Sequence, residues 1–277
     1  MWVHGTHENR LLKALSPADR SLLQAYLEPV HLDLKQVLEA PDTAVDYVYF
    51  PSGGLASVVA SISPRYRIEV AMIGHEGMTG LSVVLGDDFS ANEILIQSPG
   101  EALRLPSSAL REAMRESSTL NAVLRRYVHS FLIQASHTAL ANGCGKLAER
   151  LARWLVMWQD RVQEPTLTVT HEFLALLLGV RRPGITVALH DLEGRGLIRA
   201  TRTNVRILNR GGLMTAANGF YGAAELQYDR MLEMLPLPLA TTSELALATA
   251  SGLAVPRKRP AVRPVVGKPP AKRLERA

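Results

Sequence analysis

Apolar positions along this chain change period twice, and the changes mark its parts. Residues 8–30 carry Leu11, Leu12, Leu15, Leu22, Leu23 and Leu27 at helical steps of three and four. Ser16-Pro17-Ala18-Asp19 interrupts them, a serine cap followed by proline at a first helical position. From about His31 to Leu105 the period falls to two. Short alternating runs at 45–50, 55–62, 68–73, 93–97 and 102–105 are separated by turn clusters such as Pro51-Ser52-Gly53-Gly54 and Ser98-Pro99-Gly100. Many short strands with Gly/Pro punctuation predict a compact antiparallel roll or barrel.

Past Pro106 the helical period returns. A short helix is predicted over 107–116, then a long one from Ser118 to about Ala141, striped by Leu120, Leu124, Tyr127, Phe131 and Ala135. Nearby sequence offers that stripe no partner, so it predicts a seam between two copies of the chain, with packing on the roll as the alternative. Asn142-Gly143 is a predicted break and hinge. The helix then resumes over 145–159 with Leu147, Leu151, Trp154, Leu155 and Trp158 on one face, and 166–169 is a short strand.

Residues 170–193 read as two short helices broken at Gly179. Leu174, Leu177 and Leu178 stripe the first, and Ile185, Ala188, Leu189 and Leu192 the second. Ala175 is small where the helices must cross, Gly179 suits a positive φ, and Val180 fills the gap between them. Such a pair is a helix-turn-helix, whose second helix is shaped for a DNA major groove. Arg181 and Arg182 open that helix, with Thr186 and His190 one and two turns further on. Two arginines oppose the macrodipole at a helix N-terminus, a local cost that base contact explains, since Arg suits bidentate contact with guanine. Pro183 fits a first helical turn. Runs at 198–201 and 205–208 flank Arg202-Thr203-Asn204 as a β-hairpin, or wing, with Arg202 at the tip and Arg199 and Arg206 one on each strand. Thr170, His171 and the wing arginines are candidates for gripping the DNA backbone. A final helix is predicted over 213–234.

Composition narrows the classes. The net charge of +5 is misleading, because residues 256–277 hold eight Lys or Arg against Glu275 alone, leaving residues 1–255 at −2. Affinity for nucleic acid therefore has to come from a local patch, with the tail as a solvated basic arm. No apolar run approaches membrane-spanning length and the N-terminus shows no apolar signal core, so a cytoplasmic protein without membrane contact is expected. Cys144 is the single cysteine, which excludes an internal disulfide framework. The eight histidines form no His-Glu-x-x-His or similar metal or catalytic spacing. No enzyme activity, cofactor or metal is expected.

The order of parts, with Leu192-Glu193-Gly-Arg-Gly196-Leu-Ile198 after the second helix, resembles the Crp/Fnr family of bacterial transcription regulators over about residues 8–234. Thr170, Gly179, Arg182, Leu192, Glu193 and Gly196 to Ile198 carry the resemblance, and Asn142 to Leu155 looks like the family's hinge and connecting helix. The resemblance implies an α+β chain with a cyclic-nucleotide-binding-like β-roll over 1–105, helices including a dimerisation helix over 106–141 and a winged helix-turn-helix over 142–235, while composition makes 236–277 a disordered basic tail. It further implies a homodimer on a two-fold operator in double-stranded DNA, with RNA polymerase as a further partner. Pro183 and Val187 stand where members carry base-reading Glu and Arg, so the family's half-site does not carry over.

The family's effector cassette corresponds here to Gly74, Glu76, Gly77, Thr79 and Gly80. No Lys or Arg lies between Arg67 and Arg104, whereas six carboxylates do. A phosphate needs cationic or N–H partners, and only the backbone amides from Gly77 to Leu81 are on offer as a nest. Cyclic-nucleotide dependence is therefore not expected, and the effector is left unnamed. The competing reading is a ligand-binding or protein-interaction module whose winged domain docks protein, which would lack the steep salt dependence of a DNA reader.

Overall fold

A computed structural model describes residues 8–63 and 66–233. The basic tail expected at 236–277 lies outside the described residues. The chain begins with α1 (Arg10–Ala14) and α2 (Pro17–Gln24), each capped as its sequence dictates. The Asn9 side chain accepts from the Leu12 amide, and Ser16 accepts from Asp19 with Pro17 at the first position.

Seven strands follow: β1 (Glu28–Leu32), β2 (Val37–Glu39), β3 (Tyr47–Pro51), β4 (Leu55–Ser63), β5 (Tyr66–Ile73), β6 (Glu93–Ser98) and β7 (Gly100–Pro106), with the short helix α3 (Leu81–Leu85) between β5 and β6. They form two antiparallel sheets in the orders β1-β7-β3 and β2-β6-β4-β5. One apolar cluster joins both sheets, built from Leu32, Ala56, Val58, Ile73, Ile94 and Ile96 among others. The predicted roll is thus present. β1 and β2 were not legible as strands, because both are edge strands whose side chains are mostly exposed and so lack alternation.

Next come α4 (Ser107–Glu116) and the 27-residue α5 (Ser118–Cys144), the latter capped by Ser117 onto the Leu120 amide. Two expectations need correction here. The helix runs through Asn142-Gly143 and breaks instead at Gly145, which is extended (φ −84°, ψ 143°). Gly143 costs a helix only about 1 kcal/mol, which this length absorbs. The stripe Leu120, Leu124, Tyr127 and Phe131 is also no seam between copies. The first three residues are buried in a cluster with Met78, Leu110 and Tyr228, and Phe131 closes the core of the roll. Met78 and Tyr228 lie some 40 to 110 residues from the stripe, beyond what a local reading can see.

After α6 (Leu147–Val162) the chain forms β8 (Thr166–Thr168), α7 (His171–Leu177), α8 (Arg182–Gly194), β9 (Ile198–Ala200), β10 (Asn204–Ile207), α9 (Arg210–Ala216) and α10 (Ala223–Glu233). The single final helix expected over 213–234 is two helices. Asn218, Gly219 and Gly222 take positive φ between them and turn the chain. As a result α10 leaves the winged region it was assigned to and lies along α5, with Tyr228 and Met231 in the cluster around Leu120 and Leu124.

The winged region is seated on its own roll. Leu55 and Met72 of the roll share a core with Leu151, Trp154, Leu155 and Trp158 of α6 and with Leu174, Leu177, Ile185 and Leu189. Both tryptophans donate across the join, Trp154 Nε1 to Glu69 Oε1 at 2.7 Å and Trp158 Nε1 to Ser98 Oγ at 3.3 Å. Glu69 is fully buried, and burial pushes its pKa up to about 7 against the hydrogen bonds from Ser57 and Trp154. No single helix among the described residues is long and apolar enough to cross a membrane.

Candidate nucleic-acid interface

The two helices α7 and α8 meet at 103°, within the range of a helix-turn-helix. All seven apolar residues of the predicted stripes are buried: Leu174, Leu177 and Leu178 on one side, Ile185, Ala188, Leu189 and Leu192 on the other. Each large one contributes about 2 kcal/mol by leaving water, which holds the outer face of α8 in a fixed direction. Gly179 takes φ +62° at the turn, and its α-carbon stands so close to the roll that an added Cβ would lie 2.8 Å from Ile68 Cδ1. Val180 packs against the same core. The helix α8 ends as its sequence dictates, with Gly196 at φ +70° and the Leu197 amide returning to the Leu192 carbonyl.

The outward face of α8 carries Arg181 at the N-cap, Arg182, Pro183, Val187 and His190, all exposed. Arg181 and Arg182 have no carboxylate within ion-pair distance among the described residues, whereas Arg195 one turn past His190 pairs with Asp191 at 3.6 Å. Thr170 caps α7 through its hydroxyl oxygen, accepting from the Phe173 amide at 3.2 Å. His171 and Thr186 are tied to each other, His171 Nδ1 to Thr186 Oγ1 at 3.1 Å, and Thr186 is within 3.4 Å of the Arg182 carbonyl. This bond clamps the start of α7 to the first turn of α8. The pair thus positions the turn that presents Arg182, a role the spacing alone did not show.

The wing resolves a point that strand alternation left open. In the sheet β8-β10-β9, Arg206 stands directly opposite Arg199, with Thr166 on its other side. Directly opposed residues share a face, so both guanidinium groups project together, exposed and without a carboxylate partner among the described residues. Like charges set opposite each other cost stability. Arg202 sits at the tip, where Thr201 and Asn204 close the turn through Asn204 N to Thr201 Oγ1 at 3.2 Å. Glu193 braces the wing by accepting from the Ala200 amide at 3.1 Å.

The cassette in the roll is already satisfied by protein. Gly80 donates its amide to buried Glu39 Oε1 at 2.6 Å, Thr79 exchanges bonds with the Tyr49 backbone, and Gly77 N turns back to the Gly74 carbonyl. Burial raises the Glu39 pKa, opposed by the Gly80 amide and the Ser90 and Thr79 hydroxyls. An added Cβ at Gly77 would meet Tyr127 Oη at 2.0 Å, so α5 is pressed onto the cassette. The amides of Gly77, Thr79 and Gly80 are therefore already spent on protein acceptors, that of Gly80 on a side chain from β2. Glu76 takes a cation from outside the roll, as Arg161 Nε of α6 donates to its Oε1 at 2.7 Å. Neither Glu39 nor Arg161 was legible as a cassette partner, each lying some 40 to 85 residues away in sequence.

These parts define a winged helix-turn-helix mounted beside a β-roll and one long helix, the architecture of the Crp/Fnr regulators. Residues 149–216 match the family of Crp-like helix-turn-helix domains. Solved structures agree over most of their lengths. A regulator assigned to the Crp/Fnr family from Eubacterium rectale is 18% identical with a TM-score of 0.61, covering 76% of this chain and 98% of its own. FixK2 from Bradyrhizobium japonicum is 16% identical with a TM-score of 0.59, covering 69% and 96%. A CRP-family regulator from Thermus thermophilus is 20% identical with a TM-score of 0.55, covering 69% and 97%. No curated protein matches the chain in sequence. The chain thus has the Crp/Fnr fold and carries a Crp-like helix-turn-helix domain within it.

Proposed function

We propose that this protein is a cytoplasmic, sequence-specific transcription regulator that binds a two-fold DNA operator as a homodimer. The observation that carries the reading is the set Arg181, Arg182, Arg199, Arg202 and Arg206. All five are exposed, none has a carboxylate partner among the described residues, and they sit on the opening of α8 and on the wing. A body with net charge −2 over residues 1–255 keeps these five guanidinium groups together on the groove-shaped helix and its wing. Arg181 and Arg182 read base edges, while Arg199, Arg202 and Arg206 hold phosphates. His190 adds a contact two turns into the helix, and Thr170 donates to the backbone. At a promoter such a dimer comes within reach of RNA polymerase.

Dimerisation uses the other side of α5. Arg125, His129, Leu132, Ser136, Ala139 and Gly143 are exposed and follow one another in steps of four and three. That spacing matches the 3.5-residue repeat of paired helices, with Leu132 and Ala139 as its apolar positions. Leu132 and Leu140 are 55% and 50% exposed, which suits a helix awaiting a partner. Cyclic nucleotide plays no part in this reading, since Glu39 holds the cassette amide and apolar residues fill the roll.

The test is operator selection from random DNA, followed by binding anisotropy at several salt concentrations. Arg182→Ala should relax discrimination at one base position by about 1–3 kcal/mol, and Arg202→Ala should weaken all sequences alike and reduce the salt slope by about one. Salt-independent binding, or unchanged discrimination in Arg182→Ala, refutes the reading. Addition of cyclic nucleotide should leave the affinity unchanged.

A further inference from the structure

A cavity of about 430 Å³ lies where the cassette, α5, the end of α6 and α10 meet. Its size is that of a small-molecule site, for which roughly 300–1,000 Å³ is usual. It lies outside the core of the roll. Rings line much of it, from Tyr127 and Phe131 on α5 and from Tyr221 and Tyr228 at the C-terminal end. Two polar groups facing it have unused capacity. Arg161 is 7% exposed in its side chain, and it spends Nε on Glu76 at 2.7 Å and Nη1 on the Met157 carbonyl at 2.9 Å. Its Nη2 takes no acceptor among the described residues and, unlike Nε of Arg150, is not fully enclosed. Glu225 uses Oε2 to accept from the Gly222 amide at 2.9 Å, while its Oε1 accepts from nothing among the described residues. The two groups are close enough for Glu225 to act on the charge of Arg161.

A free guanidinium edge calls for a planar oxyanion or carbonyl, and a free carboxylate oxygen calls for an ammonium. Ring walls call for apolar or aromatic bulk between them. Carboxylates of Glu76, Asp160, Glu225 and Asp229 outnumber the cations Arg10 and Arg161 in the lining, which disfavours a phosphate or any ligand of net negative charge. We infer that this cavity binds an α-amino acid, its carboxylate on Arg161 Nη2, its ammonium on Glu225 Oε1 and its side chain against the tyrosine and phenylalanine rings. The occupant would touch the roll at His75 and Glu76 and the Crp-like domain at Arg161, bridging the two parts the signal must couple. Acidic amino acids should bind worst, because their second carboxylate meets Asp160 or Asp229.

Calorimetry on the full chain tests this without DNA, so its outcome is separate from that of the DNA-binding reading. The probes are the twenty proteinogenic amino acids and, for the tightest, its decarboxylated amine and its deaminated acid. One site per chain is expected, with each truncated analogue at least about tenfold weaker, the equivalent of ~1.4 kcal/mol. Glu225→Gln retains an oxygen for the Gly222 amide. It should weaken the amino acid about tenfold or more and leave the deaminated acid unchanged. Arg161→Lys keeps a charge beside Glu76 and should weaken the acid and amino acid but spare the amine. No binding by any of the twenty, equal binding of an analogue, or an unaltered affinity in Glu225→Gln overturns the inference.

Discussion

Glu69 should make the stability of this protein fall as pH rises toward neutrality, and the size of the effect follows from where the carboxyl sits. It is fully buried on β5, facing Ser57 of β4, Gln97 of β6 through that same serine, and Trp154 of α6. Arg153 and Arg161 of α6 act on it only at a distance and lower its pKa less than burial raises it. A carboxyl whose folded pKa exceeds its unfolded one holds its proton more tightly when folded. Its contribution is therefore fully present below the unfolded value of 4.5 and is lost as pH rises through the folded value of about 7. At 1.36 kcal/mol per pKa unit the loss across that window is about 3 kcal/mol. Glu69→Gln keeps an oxygen for Trp154 and does not titrate. Urea unfolding followed by the fluorescence of buried Trp154 and Trp158 gives the stability of both proteins at each pH. Other titrating groups, Glu39 and Asp160 among them, are common to both and cancel in the difference. The difference, wild type minus variant, should decline by about 3 kcal/mol between pH 4.5 and pH 7.5. A difference that stays flat, or that rises with pH, would refute the reasoning.

Three further outcomes follow from the same geometry. Gly179→Ala places a Cβ against Ile68 at a φ of +62° and should cost about 1–3 kcal/mol in chemical unfolding; Ile68→Ala in the same chain should return the steric part alone. Arg206→Ala removes one of two opposed like charges, so the melting temperature should hold or rise slightly while DNA affinity drops. Leu132→Asp, on the exposed side of α5, should leave circular dichroism unchanged and give a monomer by sedimentation; an intact dimer would place the interface elsewhere.

What could be read in advance followed from local physics. The stripes Leu174, Leu177, Leu178 and Ile185, Ala188, Leu189, Leu192 are buried as their spacing requires. The capped start at Ser16 begins a helix as expected. The five arginines were nameable because each sits at a local landmark, a helix start, a hairpin tip or a flanking strand. Less visible were partners set by register or by distance. Whether Arg199 and Arg206 share a face depends on how many residues the wing turn holds, which alternation within one strand cannot say. The long helix gave a true stripe and a false partner, since what covers Leu120 and Leu124 includes α10, about a hundred residues on.

By itself, then, the sequence determined the elements with strong period and caps, the helix-turn-helix and its cationic face, and the poverty of the roll in cations. Hydrophobic period and capping are properties of neighbouring residues, so they survive without a tertiary structure. Only the folded chain decided that Glu39 occupies the cassette amide, that Arg161 crosses to Glu76, and that the outer face of α5 rather than the predicted stripe is left uncovered. Those pairings join residues tens of positions apart, and it is packing among the roll, α5, α6 and α10 that brings them into contact.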